Sequence, residues 1–322
     1  MSDLAVRQTR TLDRDRVLGL LNTYGVYAAI AVFLVVNAII TPGFIGAANA
    51  RVQILQVVPI LLVALGMALV IGTEGVDLSV GAVIALGSAI IPLYLGYSAV
   101  TAIGAALVLG AVSGSLSGLM VAVARVQPIV ATLALMIGLR GLAVIINGAT
   151  AKQVDDPLFD SLGIGGVGGV PFMAVIGVVA VVIVALVVRQ TTFGRQLVAI
   201  GDNRAASQLA GLPVRRVLVT VYVVSGVLAA AAGVLIVGNG AQADPAAYGL
   251  NYELFAITAV VVGGTPLSGG RVKVIGTAAG AVLMQLITAT LTQHNVPNAY
   301  SMIVQAAIII LAVYAARGRS SR

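Results

Sequence analysis

The chain has 322 residues, of which 60% are hydrophobic and only 9% are charged, and its mean hydropathy is +1.09. Soluble domains are roughly 45–50% apolar and about 25% charged, so this composition excludes a soluble globular protein and indicates one embedded in a bilayer. The chain has no cysteine, which excludes disulfides and cysteine-ligated metals. The net charge of the chain is +7, and its basic residues lie between apolar runs. This position favours a role in membrane orientation over nucleic-acid binding.

Ten apolar runs predict membrane-spanning helices, at about 20 residues per crossing. We therefore expect an all-α polytopic membrane protein with about ten transmembrane helices. The first run follows a polar leader and is longer than the apolar part of a signal peptide, so we expect it to be retained. The predicted spans are 24–41, 54–73, 79–96, 99–124, 128–147, 171–188, 216–238, 252–265, 272–292 and 298–315.

Lysine and arginine predict the orientation of these spans. With the N-terminus inside, the cytoplasmic side carries all of the 18 basic residues except Arg51, Arg140 and Lys152, as the positive-inside rule requires. We therefore expect both termini in the cytoplasm and the loops 148–170 and 239–251 outside. The predicted division is an N-terminal tail at 1–23, a transmembrane domain at 24–316 and a C-terminal tail at 317–322.

Two stretches of the chain share the frame L-S-x-G-x-V-x-x-x-G-[ST]-A. They are 77–89 and 266–278, and each follows an apolar run that ends in a break, I-G-T-E-G-V or V-G-G-T-P. Interrupted segments at matching positions indicate a translocation site, because unwound backbone offers polar groups at membrane depth. Close helix packing by glycine is the structural alternative. The candidate pathway residues are Glu74, Gly75, Asp77, Ser79, Gly81, Thr265, Ser268 and Gly270.

Few ionisable groups fall near the apolar runs, and such groups are often functional in membranes. Asp77 is placed to cap the third span, and Glu253 opens the eighth. Arg140 lies inside the fifth span and needs a partner, a carbonyl or water, and Glu74 is the natural acid to test. His294 is the single histidine, so no metal site is expected.

The longest interior stretch with a soluble pattern is 189–216, which carries five arginines. Asp202 or Asn203 can cap a helix there, Gly211 can end it and Pro213 prevents its continuation. These signals predict a two-turn helix at about 203–210 between two spans. Its small residues would let the groove of another protein approach, although an ordinary basic loop is the alternative. Those small residues are Ala205, Ala206 and Ala210.

Motifs for nucleotide and hydrolytic chemistry are absent from the sequence. It has no G-x-x-x-x-G-K-[ST] for nucleoside triphosphates, no H-E-x-x-H and no G-x-S-x-G. We therefore predict no catalytic residues and no cofactor in this chain.

Three ordered motifs resemble the ribose-type sugar permeases of bacterial ABC importers. They are A-L-G-M-A-L-V-I-G-T-E-G-V-D-L-S-V-G-A-V-I-A-L (64–86), I-G-D-N-R-A-A-S-Q-L-A-G-L-P-V-R-R-V (200–217) and A-V-V-V-G-G-T-P-L-S-G-G-R (259–271). The segment 127–141 is similar to the branch that takes galactofuranose and related monosaccharides. One departure is that Glu74 stands where the motif G-G-I-D-L-S of the family has its first glycine.

This resemblance implies a permease subunit in the bacterial inner membrane, with a separate ATPase that holds ATP and Mg²⁺. It also implies a sugar-binding protein outside and a second permease copy or a related chain. The short helix at 203–210 would dock into the ATPase. The implied coupling residues are Asn203, Arg204, Ala205, Ala206, Gln208, Leu209 and Gly211.

Two other functions stay open at the level of sequence. An ion-coupled secondary transporter of small polar solutes would need intramembrane acids, for which Glu74, Asp77 and Glu253 are the candidates. A membrane-embedded enzyme would need a cluster of catalytic groups, which the sequence does not contain.

Overall fold

The structure is a computed structural model that describes residues 25–310, except 149, 298, 301, 304, 305, 308 and 309. The predicted tails at 1–23 and 317–322 lie outside the described residues, as does much of the tenth predicted span. Within the described residues the chain is mostly helical, as the apolar runs predict.

Twelve helices are described before residue 299, and the described residues from 299 to 310 are also helical. The helices are α1 Gly25–Ile40, α2 Ala47–Gly72, α3 Val80–Tyr94, α4 Ala99–Ala122, α5 Pro128–Asn147, α6 Pro157–Ile164, α7 Phe172–Gln190, α8 Thr192–Asp202, α9 Arg204–Leu209, α10 Val214–Gly240, α11 Tyr252–Val262 and α12 Val274–Gln293. The strands are β1 Lys152–Gln153, β2 Gly166–Val167, β3 Val170–Pro171 and β4 Gln242–Ala243.

Six helices are long and apolar enough to cross a bilayer, namely α2, α4, α5, α7, α10 and α12. The apolar helices α1, α3 and α11 are shorter, with 10–17 residues each. Each of the first nine predicted spans coincides with one of these nine helices. The chain is therefore a polytopic helical membrane protein.

Helices α2 and α10 form the centre of the bundle. The apolar part of α2 is 83% buried, and α10 packs against α2, α3 and α4. The α4–α10 contact is close because glycines at four-residue spacing on α4 face the α10 backbone. A Cβ at Gly114 would collide with the Tyr222 carbonyl, and one at Gly118 would lie 2.8 Å from the Val219 Cα. Small residues allow this approach in membrane helices.

The loops 148–170 and 239–251 lie together at one end of α10. They are joined by antiparallel pairing of β1 with β4, in which Lys152 faces Ala243 and Gln153 faces Gln242. The first loop also contains the short helix α6, which the sequence analysis did not predict. Pro157 opens this helix, and the Leu158 N–H donates to the Asp156 Oδ1 at 2.8 Å.

The stretch 189–216 holds two short helices rather than the one predicted. The additional helix, α8, begins after Thr191, whose Oγ1 accepts from the Gly194 N–H at 3.2 Å. Its buried face includes Leu197 and Ile200. Because α8 packs against α2, α7 and α10, the stretch is an ordered element at the opposite end of α10 from β1 and β4.

Candidate functional site

Helix α9 forms where the sequence predicts it. The Asn203 Oδ1 accepts from the Ala206 N–H at 2.9 Å, so Asn203 rather than Asp202 is the cap. The helix ends before Gly211, which has a φ of 78°, the left-handed conformation that favours glycine. The Ser207 hydroxyl is buried and donates to the Ala199 carbonyl at 3.0 Å, which fixes α9 on α8.

The outer face of α9 is exposed among the residues that the structure describes. Ala205, Ala206 and Gln208 are exposed, and the Leu209 side chain is 91% exposed. A rigid two-turn helix with small residues and one protruding leucine is suited to insertion into an apolar groove. Arg204 lies at the start of this helix and is half-buried.

The end of α8 fits between the two broken segments of the repeat. We call this contact the glycine junction, and it consists of Gly72, Gly201, Gly269 and Gly270. The Gly270 N–H donates to the Gly72 carbonyl at 3.1 Å. A Cβ at Gly201 would collide with the Gly72 carbonyl and would lie 2.7 Å from the Gly270 nitrogen. Backbone therefore meets backbone here, and α8 is in direct contact with the last residue of α2 and with the second broken segment.

The first broken segment, 73–79, is held to α10 by Asp77, whose side chain is 1% exposed. Its Oδ1 accepts from the Ser79 N–H at 3.0 Å and from the Ser79 hydroxyl at 2.6 Å, and its Oδ2 accepts from the Ser225 hydroxyl at 2.9 Å. The prediction that Asp77 caps the third span needs correction, because the amide it binds precedes Val80, where α3 begins. Asp77 instead orders the turn before the helix.

Arg140 and Glu253 both lie at the chain segment around Gly249. The Arg140 Nη1 donates to the Tyr248 carbonyl at 3.4 Å, and the Glu253 carboxylate lies beside Gly81, as does the carbonyl of Gly249. Glu74 is exposed, with a φ of 63°, and its backbone lies beside Gly269 in the glycine junction. Glu74, which the sequence indicates as the acid to test, thus lies in the glycine junction and not at the Tyr248 carbonyl that Arg140 contacts. Sequence offers no local signal for a contact between residues so far apart.

The predicted pathway residues lie in three places rather than in one. Glu74 and Gly270 are at the glycine junction, and Gly75 is next to the Tyr222 hydroxyl near the Asp77 network. Gly81 packs against Gly249 and the Glu253 carboxylate. In the second segment the Thr265 Oγ1 accepts from the Lys273 N–H at 2.9 Å. Ser268 of that segment is exposed, whereas Ser79 of the first is buried.

His294 lies at the end of α12, where its Nε2 and the Thr41 hydroxyl are 3.0 Å apart. In the part of the chain that the structure describes, no group of three histidine, cysteine or carboxylate side chains is arranged to hold a metal ion. The observed contact of His294 is a hydrogen bond that joins the end of α12 to the end of α1.

Comparison with known proteins gives a consistent result over most of the chain. The family described as "Branched-chain amino acid transport system / permease component" matches residues 49–313. The ribose import permease protein RbsC of Escherichia coli is 38% identical over 292 residues, which cover 88% of this chain and 90% of the relative. No solved structure matches the chain.

Two further relatives carry names of other sugars. The L-arabinose ABC transporter permease protein AraH of Azospirillum brasilense is 30% identical over 313 residues, which cover 97% of this chain and 91% of the relative. The galactofuranose transporter permease protein YtfT of Escherichia coli is 34% identical over 254 residues, which cover 78% of this chain and 74% of the relative.

Proposed function

This chain belongs to the family of branched-chain amino acid transport system permease components, and we propose that it carries a monosaccharide inward across the bacterial inner membrane. As a permease component of an ABC importer, it is a transport subunit rather than an enzyme. The sugar is proposed because the relatives are named as permeases for ribose, L-arabinose and galactofuranose. A ribose-like or galactofuranose-like monosaccharide is the substrate that these names favour.

The observation that carries the coupling part of the proposal is the exposed, capped helix α9. The sequence has no P-loop, so ATP and Mg²⁺ are expected in a separate ATPase subunit. Docking of α9 into that subunit would bury Leu209, which is 91% exposed in the single chain. The proposed docking residues are Asn203, Arg204, Ala205, Ala206, Gln208, Leu209 and Gly211.

The proposed arrangement has ten spans, both termini in the cytoplasm and α9 on the cytoplasmic side. It is supported by the position of α9 at one end of α10 and of the β1–β4 pair at the other. A sugar-binding protein would dock on the β1–β4 side, and a second copy or a related permease would complete the path. The broken segments 73–79 and 263–273 are proposed to line that path at its inner half.

An ion-coupled transporter is the alternative function, and the relatives do not favour it. One of the candidate acids is also engaged in a way that needs no ion, because the Asp77 carboxylate accepts hydrogen bonds from two serine hydroxyls.

Reconstitution tests the function directly. The chain is placed in proteoliposomes with its ATPase and binding protein, and uptake of radiolabelled ribose, L-arabinose and fructose is measured. We expect uptake of at least one sugar that requires ATP and persists when ionophores collapse ion gradients. Uptake that is abolished by ionophores and independent of ATP would establish the alternative.

A substitution in α9 tests the docking proposal. Ala206→Glu would bury an unpaired charge in the groove, a change that costs several kcal/mol, on the order of the penalty for isolated buried charges. We expect the variant to stay in the membrane but to lose transport and co-purification of the ATPase. Ala205→Ser, which is small and neutral, is the matched control and should retain both. Retention of the ATPase by Ala206→Glu would mean that α9 is not the docking element.

A further inference from the structure

The chain between α10 and α11 returns into the bundle. We call residues 241–251 the re-entrant segment. Within it Gly249 has a φ of 75°, and a Cβ there would collide with the Gly81 carbonyl and lie 3.0 Å from the Ile84 Cβ. Ile84 is ten residues before the end of α3, which corresponds to about 15 Å along a helix. Helix α11 therefore begins well inside the bundle, and non-helical backbone reaches that depth.

Several side chains on the outer surface of this region are exposed in the part of the chain that the structure describes. Ala246 and Ala247 are exposed, and Leu250 and Leu254 are 50% and 45% exposed. Non-helical backbone at membrane depth is tolerated only where protein buries it or where it lines a water-filled cavity. This face is thus unsuited to contact with lipid and is suited to an aqueous path.

Two opposite charges lie at the same level. Arg140 is seven residues before the end of α5, about 10 Å along the helix, and is half-buried. It donates to the Tyr248 carbonyl of the re-entrant segment. The Glu253 Oε2 is buried and has no hydrogen-bond partner among the described residues, and it occupies space that any side chain at Gly81 would fill.

Arg140 and Glu253 have hydrogen-bonding capacity that the described residues do not use. A guanidinium offers five N–H donors and a carboxylate offers only acceptors, and one of the donors contacts Tyr248. The Asp77 carboxylate differs, because both of its oxygens already accept from serine hydroxyls. Unused donors and an unused acceptor, both at the re-entrant segment, match a ligand whose hydroxyl groups both donate and accept.

We propose that Arg140, Glu253 and the Tyr248 carbonyl form a contact site for a neutral polyhydroxyl ligand, a monosaccharide, in the translocation path. This inference rests on the proposed function and names residues outside the predicted pathway set. The charges of the pair cancel, so the site favours a neutral ligand over an anion or a cation. If the pair were only an anchor for the re-entrant segment, it would hold the segment to α5 without meeting water or sugar.

The first experiment measures access of water, using the absence of native cysteine. Leu250→Cys places a thiol on the re-entrant segment, and Val182→Cys places one on α7 at 49% exposure, ten residues from the start of that helix. We expect a charged, water-soluble methanethiosulfonate to label Leu250→Cys at least about tenfold faster, because the thiolate is the reacting form and requires water. Equal slow labelling of both would overturn the proposal.

The second experiment asks whether sugar reaches the same place. The Leu250→Cys permease–ATPase complex is labelled in the presence of the sugar that the reconstituted transporter takes up fastest, with betaine as the osmotic control. At a sugar concentration near the dissociation constant, half-occupancy would slow labelling about twofold. Adding Glu253→Gln, which keeps the size and removes the charge, should abolish this protection. Gly104→Ala on α4, where a Cβ meets no atom within 4 Å, is the control and should preserve it.

The outcomes separate this inference from the proposed function. The contact site is overturned if sugar still protects the complex that carries Glu253→Gln, or if sugar does not protect the parental Leu250→Cys complex. In either case ATP-driven uptake would still support the proposed function. The double exchange Arg140→Glu with Glu253→Arg provides another readout. It should restore assembly if the pair is an anchor, whereas a sugar contact predicts that protection stays lost because donor and acceptor have changed places.

Discussion

The two broken segments, 73–79 and 263–273, share a sequence frame but have different surroundings. The first turns back into the bundle, where its serine, Ser79, is 1% exposed. The second stays at the end of the bundle near α9, and its matching Ser268 is exposed. The repeat therefore encodes where a helix stops, and the residues that follow decide whether the break is buried.

The stop itself is the same in both copies. At the end of α2 the Gly75 N–H donates to the Val70 carbonyl at 3.1 Å, and at the end of α11 the Thr265 N–H donates to the Val260 carbonyl at 3.1 Å. In each copy the residue before the donor is left-handed, with a φ of 63° at Glu74 and 87° at Gly264. This pattern satisfies the last carbonyls of a helix.

The segments diverge after the stop. Helix α3 begins at Val80, directly after the serine of the first copy, whereas α12 begins at Val274. The longer second segment includes Gly269 and Gly270, which both have a φ of 75° and contribute to the glycine junction. The position of Asp77 in the first copy corresponds to that of Pro266 in the second. Proline has no side-chain acceptor for a serine of α10.

The largest expected effect comes from separating α8 at once from the end of α2 and from the second broken segment. Gly201→Ala would place a methyl group against the Gly72 carbonyl, and overpacking of this kind costs about 3 kcal/mol at the upper end of its usual range. We expect a lower thermal midpoint in detergent and loss of transport. Gly104→Ala on α4, where a Cβ meets no atom within 4 Å, is the control. An unchanged thermal midpoint for Gly201→Ala would show that the glycine junction accommodates the methyl group without loss of stability.

The next largest expected effect is a difference in thermal stability between variants at the two matched positions, Asp77 and Pro266. Asp77→Asn keeps one acceptor but removes the one that binds the Ser225 hydroxyl, and a hydrogen bond to a charged group is worth about 2 kcal/mol. We expect a clear fall in the thermal midpoint of Asp77→Asn and a much smaller change for Pro266→Ala. Equal changes at the two positions would contradict the difference in burial.

Variants of the two matched serines, Ser79 and Ser268, are expected to show a smaller difference in stability. Ser79→Ala removes a buried hydroxyl that donates to Asp77 at 2.6 Å, which costs about 1 kcal/mol or somewhat more. Ser268→Ala changes an exposed side chain and should leave stability unaffected. Thermal midpoints of the two single variants test this, and a larger loss for Ser268→Ala would reverse the assignment of the buried copy.

The smallest effect is a gain of stability. Glu74 occupies a left-handed position at which the second copy has Gly264. Left-handed backbone costs a residue with a Cβ about 1 kcal/mol, which the flexibility of glycine partly offsets, so Glu74→Gly should stabilise the fold by about 0.5 kcal/mol. Gly264→Ala should act in the opposite direction. A lower midpoint for Glu74→Gly would indicate that the Glu74 side chain makes a stabilising contact.

Features with local signals could be predicted from the sequence. The apolar runs marked nine helices, and the cap Asn203 and the stop Gly211 marked α9. Helix α8 was missed although Phe193, Leu197 and Ile200 recur at helical spacing and Leu197 and Ile200 are buried. The five arginines of this stretch favoured its interpretation as a loop outside the short helix α9. The spacing of the apolar residues is the signal that could have found this helix.

Contacts between distant parts of the chain could not be predicted in this way. Arg140 meets Tyr248 across 108 residues, and Gly201 meets both the end of α2 and the second broken segment. Periodicity and capping act within a few residues, so they identify the ends of helices but not their partners. The sequence indicated that Arg140 needs a partner, a carbonyl or water, but it could not show that the carbonyl is that of Tyr248.

The exposed Leu209 also has a consequence for producing the protein. A permease made in excess of its ATPase would display this leucine, 91% exposed, to the proteases and chaperones of the cytosol if α9 is the docking element. Exposed apolar side chains of this kind promote aggregation. We therefore expect the yield and lifetime of the chain in cells to rise with co-expression of the ATPase, and Leu209→Ser to improve the behaviour of the isolated permease while weakening assembly.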